Sequence, residues 1–194
     1  AARRGGGGAM SASRLDRALL SAGRWSARIG GLVIFACVLL VAGDVLLRNL
    51  PGGAPEGLRL HSFDLTNFGF AAATAFGFSY ALVARAHIRI DILYTLFPLP
   101  VRAVLDLAAV ASLAAMGSVM AWHAWGVVQA SARLGATPNS TLDVPLAVPQ
   151  ALWAAGLTWF ALTALLVTAQ AVRRLATGQF RALHAAAGTG EAAS

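Results

Sequence analysis

Residues 107–132 read LAAVASLAAMGSVMAWHAWGVVQASA and carry no formal charge. As a helix rising 1.5 Å per residue the run is about 39 Å long, and a bilayer's hydrocarbon core, about 30 Å thick, is crossed by roughly 20 apolar residues. Further charge-free runs lie at 29–43, 65–84 and 144–172. The last two meet that length unaided. The first reaches it by extending back to Trp25 and forward to Leu47, with Arg28 at one end and Asp44 near the other. The expected fold class is therefore an all-α integral membrane protein with four transmembrane helices, at about 25–48, 65–85, 104–131 and 146–172.

Composition agrees. With 58% hydrophobic residues, 12% charged residues and a mean hydropathy of +0.68, a water-soluble chain of 194 residues would lack the polar surface to cover its core. The net charge of +7 and a pI near 11.4 invite a nucleic-acid reading. Distribution argues against nucleic acid as a partner, because the arginines sit at the ends of the apolar runs and form no patch interleaved with aromatics. Membrane lipid is the expected surrounding. Cys37, the single cysteine, falls within the first run and reads as a small apolar residue.

Residues 1–13, with a glycine tetrad at 5–8, show no periodicity and are expected to be disordered. A four-helix membrane domain is expected over 14–174 and a cytoplasmic tail over 175–194. Within that domain, residues 14–28 read as an N-terminal amphipathic interfacial helix: Arg14, Arg17, Arg24 and Arg28 fall within an arc of roughly 80° at 100° per residue. Guanidinium groups on that face can reach lipid phosphates.

Loops retained in the cytoplasm carry the excess of arginine. Arg3, Arg4, Arg14, Arg17, Arg24, Arg28, Arg85, Arg89, Arg102, Arg173, Arg174 and Arg181 lie on one side of the four-span plan, and Arg48, Arg59 and Arg133 on the other. Both termini are thereby expected in the cytoplasm. The outer links are 49–63, rich in Pro and Gly, and 132–145, which carries the turn signal Pro138-Asn139-Ser140. Pro145 and Pro149 bracket the start of the fourth helix, where first-turn amides lack intrahelical partners and proline is tolerated.

Charged side chains within spans are the first places to seek chemistry, since an Asp at the bilayer centre costs about 2.5–3.5 kcal/mol on insertion scales. Asp44 and Arg48 stand at i,i+4 near the outer end of the first span and read as an ion pair, with an ion-coupling carboxylate as the alternative. Asp106 reads as a snorkelling residue near the inner end of the third span. No carboxylate is expected at the midplane, which argues against a self-sufficient proton-coupled exporter. His61 and His123 fall at similar depth, so a haem-b or quinone-associated membrane anchor of a respiratory complex is the competing function.

Gly69, Ala73, Gly77 and Ala81 form a small-residue stripe suited to close helix packing, inside the unit or against a partner. Trp25 marks one interface, and Trp122 and Trp125 the other; Trp153 and Trp159 lie deeper. The inner link holds the densest polar pattern, with His87, Arg89 and Asp91 alternating with Ile88 and Ile90. It reads as a membrane-surface clamp. Nothing there pairs a nucleophile with a base.

Asp44-Val45-Leu46-Leu47-Arg48 closing the first span, His87-Ile88-Arg89-Ile90-Asp91 after the second, and the Pro145-to-Pro149 start of the fourth together resemble the small, DctQ-like membrane subunit of tripartite ATP-independent periplasmic (TRAP) transporters. The resemblance covers roughly residues 25–172. It implies a non-enzymatic scaffold in a bacterial inner membrane, packing against a large multi-span permease subunit that binds sodium ions and an organic acid delivered by a periplasmic substrate-binding protein. It implies no cofactor in this chain. Asp44 and Arg48 would brace the outer end of the first span. His87, Arg89 and Asp91 would fix the inner loop.

Overall fold

The 35 residues from Arg14 to Arg48 contain no proline, and in the computed structural model they form one unbroken helix, α1. The structure describes residues 14–49, 62–84, 97–138 and 144–178. Among these, three further helices follow: α2 (Ser62–Val83), α3 (Leu99–Leu134) and α4 (Ala147–Ala176). The expectation of a separate interfacial helix over 14–28 is corrected here. Leu19, Gly23 and Gly30 share a buried stripe, and the amphipathic segment continues into the apolar one as a single helix.

Local chemistry sets the ends. Pro98 caps α3 with extended backbone. Gly135 ends that helix at φ 59°, a left-handed conformation that glycine adopts without a Cβ penalty. The Leu146 amide then donates to the Ala136 carbonyl at 2.9 Å and closes the α3–α4 hairpin.

Length and apolarity suffice for membrane crossing in α1, α3 and α4. The 22 residues of α2 also reach about 33 Å, but Asp64, Thr66, Asn67, Thr74 and Ser79 dilute its apolar surface. Neighbouring helices cover some of them, while Asn67 is exposed. α1 packs on α2, α2 on α4 and α4 on α3, so α2 is flanked on both sides, and Ser79 is fully buried. The four helices form an open row in the order α1, α2, α4, α3. One end of the row, here proximal, holds the start of α1 and the end of α4; the other is distal.

Glycine sets the spacing within the row. A Cβ at Gly30 would stand 3.0 Å from the Ala73 carbonyl oxygen, and one at Gly69 would meet the Cys37 sulfur at 2.7 Å. On the other side of α2, a Cβ at Gly156 would lie 2.7 Å from Ala75 Cβ and 3.1 Å from the Phe76 nitrogen. Between α3 and α4 the same role falls to Gly117, under the Phe160 ring at 2.9 Å. The small-residue stripe thus divides: Gly69 and Ala73 meet α1, while Gly77 has nothing within 4 Å.

Alanine fills most of the remaining seam, with Ala75, Ala121, Ala124, Ala154 and Ala161 around Leu157. In lipid such seams are held by van der Waals contact, reinforced by interhelical hydrogen bonds. Trp125 Nε1 donates to Thr158 Oγ1 at 3.0 Å, and Thr168 Oγ1 lies 3.2 Å from the Val110 carbonyl oxygen.

Only 11% of the apolar stretch of α1 is buried, against 39% for α4, which makes α1 an edge of the row and α4 an interior member. Gly156→Leu and Gly30→Leu should each cost about 1–3 kcal/mol by overpacking, read as a lowered Tm in detergent. Gly126→Ala, at a position with nothing within 4 Å, should leave the Tm unchanged or slightly raised.

Candidate functional site

Gly30, Cys37 and Asp44 recur at seven-residue spacing, which carries the α2-facing stripe of α1 to its distal end. There Asp44 is buried, 6% exposed. Ser62, the first residue of α2, donates its hydroxyl to Asp44 Oδ2 at 2.6 Å. Arg48 Nη2 reaches the same oxygen at 3.0 Å. The expected Asp44–Arg48 pair is therefore present, and the hydroxyl of the next helix joins it.

The two contacts differ in weight. The Arg48 side chain is 69% exposed, so its pairing is screened and worth at most about 1 kcal/mol. A hydrogen bond to a charged group contributes about 1.5–3 kcal/mol, and the Ser62–Asp44 bond is buried. The carboxylate also stands beside the N-terminus of α2, where the helix dipole favours negative charge. Chemically this is a clamp between two helix ends. The spacing of Asp44 and Arg48 signals their pairing, but Ser62 lies 18 residues further along the chain, and only the heptad phase of Gly30, Cys37 and Asp44 hints that the carboxylate faces α2.

At the proximal end α2 stops at Val83, and α1 and α4 run on beyond it. They meet directly: Arg174 Nη2 donates to Asp16 Oδ2 at 2.8 Å, with both side chains mostly shielded. Arg102 Nε donates to the Phe97 carbonyl at 2.7 Å at the start of α3.

Asp106 corrects a second expectation. It is 0% exposed, not a snorkelling interfacial residue. Ala103 and Val110, at i−3 and i+4, pack with Ala171 of α4, and Asp106 lies between them on the same seam. That seam turns the carboxylate into the protein, about 10 Å along α3 from its start.

The remaining candidates separate. Pro149 lies in the first turn of α4, and the Pro145 carbonyl accepts the Val148 amide at 3.0 Å just before it. His87, Arg89 and Asp91 lie outside the described residues, as does His61. His123 is exposed, beside the buried Ala121 and Ala124 that face the core.

Among protein families, the model for the tripartite ATP-independent periplasmic transporters, DctQ component, matches residues 37–177. The match begins within α1 and ends one residue beyond α4, and it includes Asp44, Arg48 and Ser62. No curated protein and no solved structure matches the chain.

A double-mutant cycle of Asp44→Asn with Ser62→Ala should give a coupling of about 1.5–3 kcal/mol in denaturant unfolding of the detergent-solubilised chain. The cycle of Asp44→Asn with Arg48→Gln should give about 1 kcal/mol or less.

Proposed function

The chain belongs to the DctQ component family of tripartite ATP-independent periplasmic transporters, and on that premise we propose that it is the fixed scaffold subunit of a sodium-coupled organic-acid importer. In this reading it packs against a large multi-span permease in a bacterial inner membrane. The permease binds the sodium ions and the substrate, and a periplasmic substrate-binding protein delivers the organic acid. The present chain takes no catalytic part. The observation that carries the reading is the family match, which includes the clamp and extends through α2, α3 and α4.

All four helices cross the membrane in this proposal, with both termini cytoplasmic. The described arginines support the orientation: Arg17, Arg24, Arg28, Arg102, Arg173 and Arg174 lie toward the proximal end, and Arg48 and Arg133 toward the distal end. The flanking of α2 by α1 and α4 supports its crossing, because the row buries its Ser62 and Ser79. An open row also suits a scaffold. Its edge helix α1 keeps large apolar side chains such as Leu32, Phe35 and Leu46 exposed for lipid or for a larger membrane partner. The Asp44–Ser62 clamp and the Asp16–Arg174 tie fix the two ends of the unit.

Affinity purification of the tagged chain from its native membrane should recover a large hydrophobic permease in near-equal amount, and deletion of the chain should abolish uptake of the organic acid. Recovery of soluble redox subunits with haem absorbance, or uptake that persists without the chain, would contradict the proposal.

A further inference from the structure

We propose that the proximal half of α1 is a docking surface for the headgroups of anionic phospholipids. Arg17, Arg24 and Arg28 are all exposed and fall within an arc of about 40° at 100° per residue. That arc lies on the side of the helix opposite Gly23 and Gly30, which face α2, and the buried Leu19. The arginines therefore point away from the row.

The same outward stripe changes character within one turn. Beyond Arg28 it continues as Leu32, Phe35, Leu39 and Leu46, exposed at 68%, 60%, 57% and 70%. A single face that passes from guanidinium to hydrocarbon between Arg28 and Leu32 marks where α1 leaves the headgroups for the acyl chains. Trp25, 62% exposed, supports the assignment: the Arg28 guanidinium carbon lies 5.4 Å from its ring centroid, an amphipathic pair suited to the interface.

Charge complementarity selects the occupant. Asp16, the acid next to the stripe, is engaged by Arg174 at 2.8 Å, so it directs its charge toward α4 and away from the three arginines. Three cations along about 16 Å of helix then face outward as a row of phosphate-seeking forks. A zwitterionic headgroup offers a phosphate with its own counter-charge; phosphatidylglycerol offers one without. Arg28 and Arg24 lie nearest the boundary and carry the larger share of the attraction.

The test uses the full chain in detergent, titrated with phosphatidylglycerol or phosphatidylcholine and read by native mass spectrometry. Wild type should prefer phosphatidylglycerol. The triple variant R17Q/R24Q/R28Q should lose that preference by roughly fivefold for each arginine replaced, and Arg133→Gln at the distal end should keep it. An unchanged preference in the folded triple variant would overturn the proposal, as would an equal loss in Arg133→Gln. Should the triple variant fail to fold, salt decides: the wild-type preference should fall as ionic strength rises, and a salt-insensitive preference would overturn it. Loss of a co-purifying permease from the triple variant, with lipid preference intact, would assign the stripe to an acidic protein surface instead.

Discussion

The close approach of α2 to its two neighbours sets the geometry of this protein. Gly30 lets α1 come up to the Ala73 carbonyl, and Gly156 lets α4 come up to Ala75 and the Phe76 amide. Neither contact leaves room for a Cβ, so helix separation is fixed by backbone rather than by side-chain interlock. In hydrocarbon the choice has a physical reason. Lipid tails solvate leucine as well as another leucine does, and helix association rests on contact that only small residues provide. With α2 held from both sides, the row buries its Ser62 and Ser79, while Asn67 stays exposed.

Packing of small residues specifies distance better than it specifies register. Two polar ties at opposite ends of the row supply the register. At the distal end the Asp44 carboxylate accepts the Ser62 hydroxyl across the α1–α2 junction. At the proximal end Arg174 reaches Asp16 where α2 no longer separates α4 from α1. Each carboxylate is shielded from water, and removing its donor would leave a poorly solvated charge, so either tie opposes sliding of one helix along the next.

Much of the fold was legible because lipid imposes simple rules. Charge-free runs near 20 residues long disclose helices, and the phase of Gly69 and Ala73 disclosed half of the α1–α2 seam. What stayed hidden required relations between helices. The interfacial helix expected at 14–28 is part of α1, since Gly23 packs on Tyr80 of α2 and Leu19 is buried, relations that no local pattern reveals. Asp106 looked interfacial by its place near the inner end of the third span, yet its i−3 and i+4 neighbours, Ala103 and Val110, place it on the α4 seam. For the clamp, Asp44 and Arg48 were readable from their spacing alone. Ser62 was not, because the link between α1 and α2 decides which turn of α2 meets the carboxylate.

An edge helix with little of its apolar stretch buried, an α2 packed on two sides and membership of a transporter-component family form a consistent account: a membrane unit whose edge helix presents apolar surface. Its central claim is the open order α1, α2, α4, α3. The most direct test is the distance between spin labels placed by Phe35→Cys on α1 and Val127→Cys on α3, in a Cys37→Ala background, measured by double electron–electron resonance in nanodiscs. The open row predicts roughly three interaxial spacings, on the order of 25 Å. A distribution centred near about 10–14 Å, as neighbours or diagonals of a closed four-helix bundle would give, would contradict it.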